Sequence, residues 1–142
     1  MERKVWIIDD DEVDIFIHSR MLKKAGFADD IVTFTSGDEA IKNLMAISDP
    51  SEMPDAIFLD LMMPLYSGWD FLEEFKDLKD YFDHSRIVVL TTSVFLKDLA
   101  KAMSYNSVSK YLVKPIDIEK LEKLNEEFII NDQLMVQNYI QN

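Results

Sequence analysis

Short apolar runs alternate with longer stretches of helical periodicity along this chain, and this alternation restricts the fold more than any other feature. The strand-like runs are residues 5–8, 31–35, 56–59, 87–90 and 110–113. Each is followed by a stretch in which apolar side chains recur every three or four positions. Repeated strand and helix units of this kind are typical of an α/β fold. We therefore predict a doubly wound, five-stranded parallel sheet with five helices.

The predicted helices lie between and after these runs. The first contains Val13 and ends at Gly26, the next three cover residues 38–47, 69–78 and 96–105, and the last begins near Asp117. Residues 131–142 either extend the last helix or form a frayed end. We expect one domain over residues 1–131, followed by a helical extension or tail over residues 132–142.

The composition limits the classes of function. With 142 residues, of which 48% are hydrophobic, the chain is large enough for one domain with its own core. Its 15 basic and 27 acidic side chains give a net charge of −12, which disfavours direct binding to nucleic acid. Cysteine is absent, which excludes disulfides and thiolate metal sites and fits a cytoplasmic protein. No apolar stretch approaches the roughly 18 residues of a membrane span, so we expect no membrane association.

Carboxylates follow two of the predicted strands. Asp9 and Asp10 come directly after the first strand, and Asp60 follows the third. In a doubly wound sheet of order 2-1-3-4-5, the first and third strands are neighbours, and a crevice opens at their carboxyl ends. Three carboxylates that meet there repel one another unless a cation lies among them. Oxygen ligands beside a phosphate-sized opening favour Mg²⁺.

Two further polar residues follow the fourth and fifth predicted strands. Thr91 comes after a strand that neighbours the third, so its short hydroxyl is close enough to reach a group on Asp60. Lys114 follows the fifth strand, one position further away, where a long ammonium side chain is needed to cover the distance. A carboxylate nucleophile flanked by a divalent ion, a hydroxyl and an ammonium group is suited to accepting a phosphoryl group.

In these features the sequence resembles the receiver domain of two-component response regulators. The resemblance rests on the acidic pair Asp9 and Asp10, on Asp60 in the segment LDLMMPLYSG, on Thr91, and on Lys114-Pro115, all in receiver order and spacing. It covers roughly residues 4–130 and implies a flavodoxin-like receiver fold with strand order 2-1-3-4-5. It also implies that the Lys114-Pro115 bond is a candidate cis peptide.

The resemblance assigns roles to the acidic residues and to one neighbour. It implies that Asp60 is the phosphoacceptor and that Asp10 binds Mg²⁺ directly. Asp9 is expected to act on the metal mainly through water. Met62 is expected to offer its backbone carbonyl to the same ion.

The resemblance also assigns roles on the fourth and fifth strands. Thr91 and Lys114 are expected to contact the phosphoryl oxygens. Tyr111 occupies the position of an aromatic side chain that turns inward when the threonine moves, although a strand aromatic packed on the core is the ordinary alternative. We predict that Thr91 and Tyr111 form a switch.

Several nearby residues are given ordinary structural roles. Asp11 is predicted to cap the first helix rather than to bind metal. His18 in that helix and His84 in a polar loop are predicted to be solvated and remote from the crevice. Thr92 is larger than the residue usual at its position and narrows access to Asp60. Met62 has an apolar side chain where many relatives carry a polar one, which predicts slow dephosphorylation.

The sequence therefore predicts a single-domain response regulator without an output domain. It should accept a phosphoryl group from a histidine kinase or phosphotransfer protein and switch a surface formed by the fourth helix, fifth strand and fifth helix. That surface would bind a downstream protein or pair with a second copy. Such a protein catalyses its own phosphorylation but is not an enzyme with a turnover substrate. The alternatives are a magnesium-dependent aspartyl phosphatase or phosphotransferase, disfavoured because Met62 replaces its general acid, and a constitutive scaffold receiver.

Overall fold

The computed structural model describes residues 2–78 and 85–141 and has the predicted parallel sheet. Its five strands are β1 (Lys4–Ile8), β2 (Asp30–Phe34), β3 (Ala56–Leu59), β4 (Arg86–Thr91) and β5 (Val108–Val113). All pairings are parallel and the strand order is β2-β1-β3-β4-β5, which confirms the predicted fold class. The three central strands are almost entirely apolar because helices cover both of their faces.

Five helices connect and cover the strands. They are α1 (Glu12–Lys24), α2 (Gly37–Ala46), α3 (Gly68–Leu78), α4 (Leu96–Met103) and α5 (Ile118–Gln141), with a short 3₁₀ turn at Pro50–Glu52 before β3. None of the helices in the described part of the chain combines the length and apolar character needed to cross a membrane. The last helix continues without interruption to Gln141, well past the final core residue, Phe128.

The strand and helix ends differ from the predicted ones by a few residues. Strand β5 begins at Val108, two residues before the predicted start at residue 110. Its register with β4 shifts there: Ile87 and Val88 pair with Val108 and Lys110, and Ser109 is the extra residue between them. Helix α4 ends at Met103 rather than at residue 105, because the chain turns there to enter this longer strand.

The core has two parts, one on each face of the sheet. On one face, α1 and α5 pack over Phe58 and its neighbours, and on the other, α2, α3 and α4 pack over Ile57 and Leu59. Phe27 lies at the centre of an aromatic group on the first face. Its ring centroid is 5.4 Å from that of Phe58 and 5.0 Å from that of Phe128, both in edge-to-face geometry. This packing fixes α5 against the sheet.

We predict that Phe128→Ala destabilises the fold strongly. The ring is 2% exposed, so its removal leaves a cavity between α5 and the sheet and should lower the free energy of unfolding by about 3–5 kcal/mol. Phe16→Ala, at a site that is 60% exposed on α1, is the matched control and should change it by less than about 1 kcal/mol. Urea denaturation measures both. Equal effects of the two substitutions would contradict this account of the core.

Candidate functional site

Three carboxylates meet at the carboxyl edge of the sheet. Asp9 follows β1 and Asp60 follows β3, and these strands pair in register up to Ile8 and Leu59, so the two aspartates leave the sheet side by side. Asp10 joins them, and one carboxylate oxygen of each lies within 4.8 Å of the others. Asp9 is 2% exposed and Asp60 is 7% exposed, whereas Asp10 is open to solvent. The structure thus brings together the acidic residues that the sequence singled out.

Lys114 extends from the end of β5 into the same cluster. Its ammonium group lies 2.7 Å from Asp9 Oδ2 and 3.5 Å from Asp60 Oδ2. The bond to Pro115 is cis, as the resemblance predicted. The lysine therefore occupies the position that its side-chain length indicated.

Asp14 is a member of this cluster that the sequence analysis missed. Its carboxylate lies 2.9 Å from the Lys114 ammonium group, closer than that of Asp60. Asp14 is in the first turn of α1, four residues after Asp10, and a carboxylate there is usually explained by the helix dipole alone. The available signal was its place in the first helical turn after the predicted cap at Asp11, since that turn begins next to Asp9 and Asp10.

Backbone groups hold the two buried carboxylates in place. The amide of Asp11 donates to Asp9 Oδ1 at 2.9 Å, and the amide of Met62 donates to Asp60 Oδ1 at 3.1 Å. Gly68 allows the loop after β3 to close over the site. A Cβ atom on Gly68 would lie 2.4 Å from the carbonyl oxygen of Asp60, so a side chain there would push the loop away from Asp60.

The surroundings of Asp60 disfavour the ionised form of its carboxyl group. Burial raises its pKa to about 6, and the nearby charge of Asp9 acts in the same direction. The Met62 amide and the Lys114 ammonium oppose this shift without cancelling it. For Lys114, burial favours the neutral amine, but hydrogen bonds to Asp9 and Asp14 and the charge of Asp60 outweigh it and raise the pKa above its ordinary value. The lysine thus stays charged.

The donor set fits a divalent metal ion. Among the residues that the structure describes, one ammonium group reaches a cluster of four carboxylates, which leaves excess negative charge at the crevice. Carboxylate oxygens are the ligands that hard divalent cations prefer. Asp9, Asp10 and Asp60 can therefore hold such an ion.

Thr91 and Tyr111 are linked through the loop after β4. Thr91 is fully buried, and its hydroxyl oxygen accepts a bond from the amide of Ser93 at 3.3 Å. Tyr111 is half-buried on β5, and its hydroxyl donates to the carbonyl oxygen of Ser93 at 3.1 Å. Ser93 thus connects the two predicted switch residues. A movement of Thr91 would shift residues 91–93 and so change the hydrogen bond that Tyr111 makes to Ser93.

The prediction for His18 was wrong. His18 is 5% exposed, because α1 packs against both the sheet and α5 and turns this side chain inward. Its Nδ1 atom has no hydrogen-bond partner within the described ranges. Burial lowers the pKa of His18, and the nearby charge of Lys114 lowers it further, so the imidazole is neutral at pH 7. His84 falls outside the described residues.

The predicted cap at Asp11 is confirmed. Its side chain accepts bonds from the amides of Val13 at 2.9 Å and Asp14 at 3.3 Å, at the start of α1. Asp11 therefore positions the first turn of α1, from which Asp14 reaches the cluster. Met62 contributes its amide to Asp60, and its side chain is largely exposed at the rim of the site.

Comparison with known proteins is consistent with this site. Residues 5–126 match the family described as "Response regulator receiver domain". The chain is 32% identical over 118 residues to Protein PilG of Pseudomonas aeruginosa, covering 83% of this chain and 81% of PilG. It is 30% identical over 129 residues to the DNA-binding transcriptional regulator NtrC of Escherichia coli, covering 91% of this chain but 25% of NtrC.

A solved structure shares the fold closely. A two component response regulator from Cytophaga hutchinsonii superposes with a TM-score of 0.81 at 27% identity, covering 90% of this chain and 97% of that one. The likeness thus extends over nearly all of both chains.

We predict that Asp60→Asn stabilises the metal-free protein. The folded state raises the pKa of Asp60 from 3.8 to about 6, so ionisation of this group costs stability as pH rises through that interval. A neutral amide avoids the cost. In buffer with a chelator at pH 7.5 the variant should be more stable by roughly 1–3 kcal/mol.

Urea denaturation of both proteins from pH 4.5 to 7.5 tests this prediction. The difference between them should be small at the lowest pH and should reach its full value above pH 7, since His18 and other groups contribute equally to both proteins. Glu12→Gln, which alters an exposed carboxylate in the first turn of α1, is the control and should have little effect. A variant less stable than the wild type throughout would contradict the account of this site.

Proposed function

The chain belongs to the response regulator receiver domain family, and from that premise we propose that it accepts a phosphoryl group on Asp60 and signals through a change in its protein-binding surface. The observation that carries this proposal is the cluster itself. A buried carboxylate, Asp60, lies beside two further carboxylates suited to a metal and beside the ammonium group of Lys114. Receiver domains are signalling domains of two-component systems, so phosphorylation here would change the signalling state of the protein rather than convert a substrate.

The metal that we propose is Mg²⁺. Asp10 and Asp60 would bind it directly, with Asp9 acting through water and the backbone carbonyl of Met62 as a further ligand. The observed donor set of carboxylate oxygens supports this choice. When bound, the ion supplies positive charge that stabilises the oxygens of the transferring phosphoryl group.

The acceptor chemistry follows from the position of Asp60. One carboxylate oxygen of Asp60 attacks the phosphorus of a phosphohistidine on a histidine kinase or phosphotransfer protein. A new P–O bond forms as the P–N bond breaks, and the departing imidazole nitrogen keeps the bonding electron pair. Lys114 and the hydroxyl of Thr91 would then bind oxygens of the phosphoryl group on Asp60. Because the donor proteins draw their phosphoryl groups from ATP, we place this exchange in the cytoplasm.

Exposed apolar residues on α1 support docking of the phosphodonor next to the site. Val13, Phe16 and Ile17 are all largely exposed, and they lie on the helix that also carries Asp14. A large exposed apolar surface beside a reactive group is typical of a protein-binding site. The donor protein would therefore meet the receiver along the first turns of α1.

The output surface that we propose is formed by α4, β5 and α5. A phosphoryl group on Asp60 would draw the Thr91 hydroxyl toward it and change the loop that Ser93 shares with Tyr111. Leu96, Leu99 and Met103 form an exposed apolar stripe on α4, directly after that loop. The stripe and the net charge of −12 favour a protein partner over nucleic acid.

The two alternative functions have less support. An aspartyl phosphatase needs a general acid two residues after its nucleophile, and Met62 occupies that position. A constitutive scaffold would not need Asp10, Thr91 and Lys114 around an aspartate acceptor. The family match favours the response regulator over both.

We predict that Asp60 is the sole phosphoacceptor. Acetyl phosphate with Mg²⁺ should add one phosphoryl mass to the wild type and none to Asp60→Asn, because the amide is not nucleophilic. Asp11→Asn is the matched control and should still be labelled, since Asp11 caps α1 and does not enter the site. Intact-mass spectrometry measures all three. Labelling of Asp60→Asn to the same extent as the wild type would refute the proposed function.

We predict that Met62 slows dephosphorylation. Its exposed apolar side chain at the rim of the site cannot orient a hydrolytic water molecule, whereas an amide can. Met62→Asn should therefore shorten the phosphoryl lifetime several-fold in a decay assay.

Leu65→Asn is the control for this substitution. Leu65 is an exposed apolar residue of the same loop, and its φ of 66° is one that asparagine tolerates. Its lifetime should match that of the wild type. An unchanged or longer phosphoryl lifetime in Met62→Asn would refute the idea that Met62 slows hydrolysis by failing to orient water.

A further inference from the structure

The Lys114 ammonium group has more acceptors than the receiver chemistry requires. Its three N–H bonds face Asp9 at 2.7 Å, Asp14 at 2.9 Å and Asp60 at 3.5 Å. The contact with Asp14 is within the normal range for a charge-assisted hydrogen bond, and the contact with Asp60 is at its outer limit. The lysine is thus held mainly by residues that would not carry the phosphoryl group.

We infer that Asp14 is a positioning residue that competes with the phosphoryl group for Lys114. This inference rests on the proposed function, in which Lys114 binds an oxygen of the phosphoryl group on Asp60. In the unmodified protein Asp14 holds the ammonium group away from Asp60. Phosphorylation must then weaken the contact with Asp14, so Asp14 disfavours the phosphorylated state.

Burial makes this competition strong. The Lys114 side chain is 9% exposed, so its ion pairs are only weakly screened by solvent. Asp14 is 32% exposed, and once released it can be hydrated at low cost. Asp9, at 3% exposed, cannot release the lysine in the same way. Asp14 is therefore the acceptor that gives up the lysine when the phosphoryl group arrives.

The test measures binding of a phosphoryl mimic, beryllofluoride, at saturating Mg²⁺ by isothermal titration calorimetry. Asp14→Asn should bind it about 5- to 10-fold more tightly than the wild type, because Lys114 is no longer engaged. Asp14→Glu keeps the competing charge and should restore wild-type affinity. Glu12→Gln removes a negative charge from the same helical turn, but Glu12 makes no ion pair to Lys114 within the described residues. The affinity of this variant for beryllofluoride should therefore stay within twofold of wild type.

The outcomes separate this inference from the proposed function. Wild type that neither binds beryllofluoride nor accepts a phosphoryl group would refute the proposed function itself. Wild type that binds, with Asp14→Asn unchanged or weaker, would overturn the role of Asp14 alone. Equal tightening by Asp14→Asn and Glu12→Gln would show a general charge effect and would also overturn it. Thermal unfolding of each variant checks that the fold is intact.

A second and independent observation concerns the end of α5. The family match stops at residue 126, but the helix continues to Gln141. Beyond Phe128 the helix has a stripe of exposed apolar side chains on one side, which we call the C-terminal stripe: Ile129, Met135, Val136, Tyr139 and Ile140. At 100° per residue these five positions fall within an arc of about 140°, so they lie on one side of the helix. Ile130 and Leu134, which are also exposed, lie outside this arc.

The C-terminal stripe borders a cavity of about 780 Å³ at the amino edge of the sheet, opposite the acidic cluster. Arg3 and Arg86 lie in its wall, and Arg86 pairs with Asp132 at 3.1 Å. Arg3 donates to the carbonyl oxygen of Phe27 at 2.9 Å and to Asn125 Oδ1 at 2.6 Å, so both arginines are engaged. Glu2, Asp29 and Asp55 also line the wall, and most of its remaining surface is apolar. Helix α5 thus presents an apolar surface and an adjoining groove.

We propose that a second copy of this chain covers the C-terminal stripe. Each copy has a net charge of −12, so two copies repel one another over most of their surfaces. Residues 129–142 carry one carboxylate, Asp132, and no lysine or arginine, so this segment itself adds little to the repulsion. The same lack of basic residues disfavours an anionic membrane surface as the occupant.

The area is adequate for a dimer of modest affinity. At roughly 100 Å² for each side chain, the C-terminal stripe offers about 500 Å², to which the groove wall adds. A standard interface buries about 800 Å² on each partner. An antiparallel pair of α5 helices, each lying against the other copy's groove, would use both surfaces.

Sedimentation equilibrium from about 1 µM to several hundred µM tests this proposal. The wild type should be a dimer at the upper concentrations, and Met135→Glu should be a monomer. Met45→Glu is the matched control, because Met45 on α2 is 66% exposed and Met135 is 62% exposed. It should remain a dimer. Tyr139→Glu is a second test of the stripe and should also be a monomer.

Two results would overturn the proposal. One is a wild type that remains monomeric over the whole concentration range. The other is a dimer that survives both Met135→Glu and Tyr139→Glu, since its interface would then lie elsewhere. Circular dichroism should show wild-type helix content in each variant, because glutamate is as good a helix former as methionine.

Discussion

The site depends on one ammonium group placed among carboxylates that the sheet forces together. Parallel strands bring Asp9 and Asp60 to the same edge, where burial and mutual repulsion oppose ionisation of Asp60. Lys114 offsets part of this charge and leaves the rest for a metal ion. Ionisation of Asp60 is therefore electrostatically unfavourable, and a bound cation or a change at Asp60 can relieve the repulsion.

The sequence predicted the parts of this arrangement that follow from strand geometry. The five strands, their order and the meeting of Asp9, Asp10 and Asp60 all depend on period, length and position after a strand. Asp14 was missed and the burial of His18 was predicted wrongly because both lie on α1. Whether a polar helical residue faces the sheet or solvent depends on the rotation of the helix about its axis, and a weakly amphipathic helix does not fix that rotation.

The fold places the acidic cluster and the C-terminal stripe at opposite edges of the sheet. The acidic cluster lies at the carboxyl edge of the sheet, and the loop with Ser93 connects Thr91, at the end of β4, to Tyr111 and leads into α4. The C-terminal stripe lies at the opposite edge, beyond the last core contact of Phe128. Association through that stripe would leave the phosphoryl site and the α4 surface open to other proteins. Charge distribution supports this separation, since residues 129–142 carry one carboxylate in a chain of net charge −12.

A phosphorylated Asp60 is an acyl phosphate, and chemical mapping of the phosphorylated residue can detect it at that position. After treatment with acetyl phosphate and Mg²⁺, sodium borohydride reduces an aspartyl phosphate to homoserine, and peptide mass spectrometry locates the product. We expect homoserine at position 60, and we expect it to disappear when a chelator replaces Mg²⁺. Homoserine at Asp9 or Asp10, or a yield at position 60 that does not depend on the metal, would contradict this expectation.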